Sequence, residues 1–383
     1  MKTRGPGTRA YLSAFVAMGV SAMLLGPSID QLRRVTGSSV SAIGILFTAA
    51  SLGYLVGVIC SGQLIAHRSG HLVLRVGLIV MASGVALLPF AASIIAMFAC
   101  EVAIGFGIGL IEIPCNSLVM WGEGGGAAIN RLHAMWAVGA VVAPLIVGRS
   151  LAWTNGLHAG YFVAAAVAAV PLLLLTGRSE PPNPHLEHGR GVPSGARLLT
   201  AIGALWFFAY VGVEATFAGW IYEYAQERGI ATATTATYLG AAFLLAFAIG
   251  RLAGITIARR LSPLRVLVID HLVAAAACGL LLVGSHSAVA IWVATVTFGL
   301  GVASMFPMML ALSEETVPST GTVTSIYLVG SSIGTLVLPA SMGMLIERYG
   351  ATALPVECVI GAVITLLLLL AFVRISHQTR RTR

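Results

Sequence analysis

Runs of about 20 apolar residues recur from one end of the chain to the other, separated by segments too short to build anything of their own. A helix of that length crosses the hydrocarbon of a bilayer, where no water satisfies the backbone and only helices or closed barrels survive. Reading the runs places helices near 10–27, 40–65, 72–92, 94–119, 132–151 and 157–176, then near 198–222, 235–258, 264–283, 288–312, 322–346 and 353–374. The expected fold class is therefore an all-α membrane protein of twelve transmembrane helices. Composition agrees: 9% of residues are charged, against roughly 25% in a soluble domain, which is too few to cover a water-exposed surface. The N-terminus (Lys2, Arg4, Arg9, then an apolar run from Tyr11) is built like a signal peptide, but the run ends at Gly26-Pro27-Ser28 with no small-residue cleavage site, so it reads as an uncleaved first helix.

The net charge of +8 does not mark a nucleic-acid binder, because the basic residues sit between apolar runs rather than along one stripe with aromatics. Of the 22 Lys and Arg residues, 17 fall on one side of the proposed bundle and five, Arg33, Arg34, Arg149, Arg228 and Arg348, on the other. That bias predicts a multi-pass protein of the inner (plasma) membrane with both termini cytoplasmic. Cys60, Cys100, Cys115, Cys278 and Cys358 all lie in apolar segments at wide spacing, which reads as packing rather than disulfides or zinc. His185 and His188 stand in a polar stretch without further ligands, and Glu314-Glu315 reads as a solvated helix end. No nucleophile elbow, phosphate-cradling loop or paired-His motif appears, so neither an enzyme, a metal site nor a bound cofactor is expected.

An internal repeat divides the chain. Gly62-Gln63-Leu64-Ile65-Ala66-His67-Arg68 matches Gly254-Ile255-Thr256-Ile257-Ala258-Arg259-Arg260, and Phe106-Gly107-Ile108-Gly109 matches Phe298-Gly299-Leu300-Gly301, both at a shift of 192; Gly139 and Pro144 match Gly334 and Pro339 at 195. The polar stretch between them (RSEPPNPHLEHGRGVPSGAR) is a linker. The expected organisation is a six-helix bundle over 1–176, a cytoplasmic linker over 177–197 and a second six-helix bundle over 198–383, with a solute site at the midplane between the halves. Gly53-x-x-x-Gly57, Gly105-x-x-x-Gly109, Gly250-x-x-x-Gly254 and Gly330-x-x-x-Gly334 would let helices approach closely.

Inside a bilayer a carboxylate costs several kcal/mol unless it is paired, protonated or solvated. Glu112 lies mid-helix on the stripe Gly105, Gly109, Glu112, Asn116, which makes it the leading proton-coupling candidate, with Asn116 beside it for solute hydroxyls. Glu214 is the second such acid, with Tyr210 and Phe217 on its face. His133 and Trp136 open the fifth helix as further substrate-binding candidates. Trp206 and Trp220 bracket the seventh helix, where tryptophan anchors at the interface or stacks on a sugar ring, and Trp220 joins the substrate-binding set. Asp270, Glu357 and Glu101 lie near membrane ends and read as solvated or interfacial.

Gly109-Leu110-Ile111-Glu112-Ile113-Pro114-Cys115-Asn116, Asn130 to Ala140 and Tyr210-Val211-Gly212-Val213-Glu214 resemble the fucose/glucose/galactose:proton symporter group of the major facilitator superfamily. Leu25-Gly26-Pro27 and Ala50-Ser51-Leu52-Gly53-Tyr54-Leu55-Val56-Gly57 look like the neighbouring sodium-dependent glucose transporter branch, and Gly250-Arg251-Leu252, Arg260-Leu261-Ser262-Pro263 and Phe306-Pro307 extend the likeness over essentially the whole chain. The resemblance implies the major facilitator fold, two pseudo-symmetric bundles, Glu112 as the proton-coupling acid and Asn116 in a sugar cavity. His133 and Trp136 occupy places where fucose permeases carry amides. The permeases' acid in the first helix is replaced here by Ser21-Ala22-Met23-Leu24-Leu25, and the loop after the second helix lacks the superfamily's Asp at Ala66-His67. The function this implies is secondary transport of a sugar or related polyol with protons by a chain working as a monomer. Sodium coupling, export of amphiphilic compounds and a non-transporting sensor or scaffold are the alternatives.

Overall fold

The fold comes from a computed structural model, which describes residues 7–122, 126–181, 196–257, 260–315 and 321–381. Lys2, Arg4, Arg259 and most of the linker, including His185 and His188, lie outside the described residues. Among the described residues the chain forms helices α1 (Thr8–Ala22), α2 (Leu25–Thr36), α3 (Val40–His67), α4 (Gly70–Leu87), α5 (Ile94–Gly122), α6 (Gly126–Thr154), α7 (His158–Val167), α8 (Ala169–Leu174), α9 (Arg197–Glu227), α10 (Ala233–Ile257), α11 (Pro263–Val283), α12 (Ala288–Val302), α13 (Met305–Glu314), α14 (Gly321–Tyr349) and α15 (Ala353–Arg381). Among the described residues ten spans are long and apolar enough to cross a membrane, α1 with α2, bent by 42°, makes an eleventh when the pair is taken as one span, and a shorter apolar stretch, His158–Leu174, stands where the sequence places a sixth helix. The fold is that of a twelve-helix membrane protein. Its packing separates two compact units, residues 1–185 with 232–241 and residues 186–231 with 242–383.

Three spans are broken, and the same residue type accounts for each break. Pro27, Pro171 and Pro307 each stand third in a helix that restarts there, α2, α8 and α13. The first N–H groups of a helix have no intrahelical acceptor, so a proline in that turn removes a donor that the helix does not use. The first span consequently runs on to Thr36 instead of ending at Gly26-Pro27-Ser28: the proline opens a helix where the sequence suggested that it closed one. Pro114, Pro144 and Pro339 lie inside α5, α6 and α14, which continue past them.

Glycine decides how closely the helices meet. In the first unit a Cβ on Gly105 would fall on the carbonyl oxygen of Ala50, and one on Gly53 on that of Val102, so α3 and α5 pack backbone against backbone. Gly19 and Gly139 do the same for α1 and α6. In the second unit Gly330 and Gly334 press on the carbonyls of Ala204 and Phe208, closing α14 onto α9. Such approach replaces the hydrophobic drive that lipid does not provide.

At one end of the first unit, Glu180 reaches back to α4: its carboxylate accepts from the Gly70 N–H (2.6 Å), the His71 N–H (3.3 Å) and the Ser69 hydroxyl. A carboxylate on exposed helix N–H groups is the preferred cap. Tyr11 and His71 share a hydrogen bond of 2.6 Å there, and Arg75 donates to the Leu175 carbonyl at 3.2 Å.

The glycine contacts predict that Gly105→Ala lowers stability by about 1–3 kcal/mol through overpacking, read as a fall in the apparent Tm of the purified protein. Gly62→Ala, where a Cβ meets nothing within 4 Å, leaves Tm unchanged or raises it.

Candidate functional site

In the first unit, the α3–α5 contact sets the chemistry. With Gly53 and Gly57 against Gly105 and Gly109, the next side chains along the seam, Tyr54 and Glu112, come within reach, and the Tyr54 hydroxyl donates to Glu112 Oε2 at 2.8 Å. Glu112 remains partly exposed, and so does Asn116 one turn on, but Asn116 Oδ1 is buried without a hydrogen-bond partner, as is the Ser61 hydroxyl of α3. The result is a carboxyl with one donor and an amide oxygen with none, on one face of α5. His133 and Trp136 stand on α6, where that helix meets α1: His133 is exposed and edge-on to Phe15 at 5.6 Å, and the Trp136 backbone lies against Gly19.

The second unit carries a larger polar cluster. Tyr210 donates to the Val302 carbonyl at 2.8 Å, an acceptor that the break between α12 and α13 leaves free. Trp206 stacks on Tyr210 with ring centroids 5.0 Å apart. Glu214, one turn further along α9, is partly exposed and lies within electrostatic reach of Arg251 from α10, whose guanidinium sits 4.4 Å over the Phe247 ring. Phe217 and Trp220 are fully buried: Phe217 packs against Phe243 and Phe298, and Trp220 Nε1 donates to the Pro339 carbonyl at 2.8 Å. Tyr210 is buried as well, so Glu214 alone of the second-unit candidates keeps a partly open side chain. Trp206 and Trp220, read from sequence as helix-end anchors, are both core residues, because α9 runs on to Glu227 and Trp220 is not near its end.

Three acids read as solvated or interfacial are buried instead. Glu101 is 4% exposed and Asp270 8%, and both Glu357 carboxylate oxygens are enclosed beside Thr216. Distance from a helix end along the sequence did not translate into access to water, because neighbouring helices cover these positions. The sequence also passed over Tyr54, Arg251 and Ser304 as chemical partners. Tyr54 could have been found from the facing glycine motifs, and Ser304 from the repeat, since a shift of 192 carries Glu112 onto it. Among the described residues no three His, Cys, Asp or Glu side chains come together in a way that could hold a metal ion.

The family model described as Major Facilitator Superfamily matches residues 10–339. Sodium-dependent glucose transporter 1A of Mus musculus is 25% identical over 88% of this chain and 89% of its own. Major facilitator superfamily domain-containing protein 4A of Danio rerio is 23% identical over 97% and 89%. Among solved structures, a D-xylose-proton symporter superposes with a TM-score of 0.78 at 12% identity, over 94% of this chain and 96% of that one. A nucleoside transporter gives 0.76 at 14%, over 96% and 99%. These structural likenesses concern the fold.

Because Val302 has lost its own helical partner, Tyr210→Phe leaves a buried carbonyl unsatisfied and costs about 1–3 kcal/mol. A lower Tm without a change in oligomeric state checks this, and Tyr54→Phe, at a partly open site, is expected to cost less.

Proposed function

The chain belongs to the Major Facilitator Superfamily, and we propose that it is a secondary active transporter that moves a sugar or related polyol together with protons, by alternating access, across the inner membrane. The reading rests on one observation above others. A single carboxyl, Glu112, stands partly exposed on a helix face otherwise lined by small residues, with one hydroxyl donor from Tyr54 and an unpaired amide oxygen on Asn116 beside it. A lone acid held in this way is the arrangement that gains and releases a proton as its access to water changes. The Asn116 oxygen needs a donor, and a polyol hydroxyl supplies one. His133 and Trp136 extend the solute-binding set on the first unit, while Glu214, within electrostatic reach of Arg251, gives the second unit a polar group for further hydroxyls. The enclosed Tyr210, Phe217 and Trp220 act by shaping that face rather than by direct contact. The two halves, 1–176 and 198–383 joined by the linker 177–197, would be the bodies that move. The positive bias of the loops supports cytoplasmic termini, and we take the monomer as the working unit.

The transporters named in the comparison, one sodium-dependent for glucose and one coupling D-xylose to protons, agree with a sugar as cargo. The first favours sodium as a second reading of the coupling ion, with Glu112, Asn116 and Tyr54 offering three oxygens on one site.

The test is uptake of labelled sugars into proteoliposomes under a pH gradient or a sodium gradient. A pH gradient is expected to drive accumulation in the native protein and to fail in Glu112→Gln, while exchange of solute at equal concentrations persists. Accumulation by Glu112→Gln equal to native would remove the proton role from that residue, and accumulation driven only by sodium would select the second reading.

A further inference from the structure

The repeat that relates the two halves places Ser304, a residue without charge, where Glu112 stands in the first. The second unit nevertheless brings a carboxyl to that place from a different helix. Asp270 on α11 accepts a hydrogen bond from the Ser304 hydroxyl at 2.5 Å, just as Glu112 accepts one from Tyr54. Ser304 is free to do this because the span breaks at Ala303, where α12 ends and α13 restarts ahead of Pro307. In the first half Pro114, which the same shift carries to Phe306, one position before Pro307, lies inside an unbroken α5.

Among the acids of the second unit, Glu214 and Asp270 have different neighbours. Glu214 has the Arg251 guanidinium within reach and Tyr210 beside it. Asp270 and Ser304 are 8% and 6% exposed, and among the described residues no cation acts on Asp270. From α9 the nearest titratable group is Tyr210, whose hydroxyl proton is committed to the Val302 carbonyl. On α11 itself His271 turns its Nδ1 to the Leu267 carbonyl at 2.6 Å. α11 also carries Arg265 in its first turn and Cys278, which faces Cys358 of α15; the segment Ala288–Val302 carries no titratable side chain, α13 carries only Glu314 at its far end, and α15 carries Glu357 beside Thr216 and the exposed Arg374. An ionised carboxylate in such a place would be a buried charge with one hydroxyl for company, at a cost of several kcal/mol.

We infer that Asp270, hydrogen-bonded to Ser304, is a second proton-carrying site, occupying in the second half the place that Glu112 holds in the first. In the enclosed state Asp270 keeps its proton and accepts from Ser304. When its surroundings open, the O–H bond breaks, the proton passes to water, and it is regained from water on the other side, with no other bond changed. The consequence for transport rests on the proton-coupled reading above; the protonation itself does not.

Infrared difference spectroscopy of the reconstituted full-length protein, in light and heavy water, reads this directly from the carbonyl stretch of protonated carboxyls. Asp270→Asn is expected to delete one such component. Ser304→Ala, which keeps the acid but removes its donor, is expected to move the same component to higher frequency. Glu214→Gln should leave the component that Ser304→Ala shifts in place. The inference is overturned if Ser304→Ala shifts nothing, or if Glu214→Gln rather than Asp270→Asn deletes the protonated component; should Asp270→Asn fail to fold, the Ser304→Ala shift decides. A native protein that shows no pH-driven uptake while these bands behave as stated would refute the coupling reading and leave Asp270 as a protonated site.

Discussion

Two helices in a bilayer gain nothing from hiding apolar surface from each other, since lipid tails receive that surface equally well. What holds them is close packing of one backbone on another, which a β-carbon prevents. In the first unit Gly53, Gly57, Gly105 and Gly109 remove that obstacle between α3 and α5, and in the second Gly330 and Gly334 do so between α14 and α9. The helices clamped in this manner include the ones that bear the chemistry: α5 carries Glu112, its partner α3 carries Tyr54, and α9 carries Tyr210 and Glu214. The 2.8 Å bond between Tyr54 and Glu112 therefore joins two helices whose spacing is already set by their main chains. A polar contact formed on so stiff a frame loses little side-chain freedom in forming.

Polar groups enter this apolar frame chiefly where a helix is interrupted. The break before α13 frees the Val302 carbonyl for Tyr210 and turns Ser304 toward Asp270. At the bend between α1 and α2 the Ser28 hydroxyl donates to the Leu24 carbonyl at 2.7 Å, and Tyr161 donates to Ser28 at 3.0 Å. The interruptions before α2 and α13 leave backbone acceptors that hydrocarbon cannot satisfy, and a hydroxyl, from Ser28 in the one and Tyr210 in the other, satisfies one of them. Proline causes the interruption and buried Tyr and Ser repair it, so breaks and hydroxyls should be read together.

The spans, the duplication and the tight glycine faces were legible in the sequence because each is a local pattern of residue type: length of apolar run, fixed offset, spacing of four. Glu112 stood out for a similar reason, as a charge in the middle of such a run. What could not be read was pairing between helices. Tyr54 and Glu112 are 58 residues apart and Asp270 and Ser304 are 34 apart, and no periodicity along either helix announces its partner across the gap. Burial misled in both directions. Asp270 and Glu101 looked solvent-near when counted from a helix end but are covered by neighbours, while Trp220 looked terminal only because α9 was taken to stop some five residues before Glu227. Pro27 was ambiguous because proline both ends helices and starts them, and only the residues after it, which continue as α2, settle which it does.

The cap that Glu180 places on α4 has a bearing on how the chain is made. The first turn of α4 is bonded to a side chain 110 residues further along, so while the intervening spans are being synthesised its leading N–H groups have no carboxylate to meet. The Ser69 side chain, which accepts from the Leu72 N–H, is at hand from the start, but only when residue 180 has left the ribosome does the third span acquire its carboxylate, after every helix of its own half and before any helix of the next. A polypeptide ending just after Glu180 would keep this contact, whereas one ending a few residues earlier would lose its clasp.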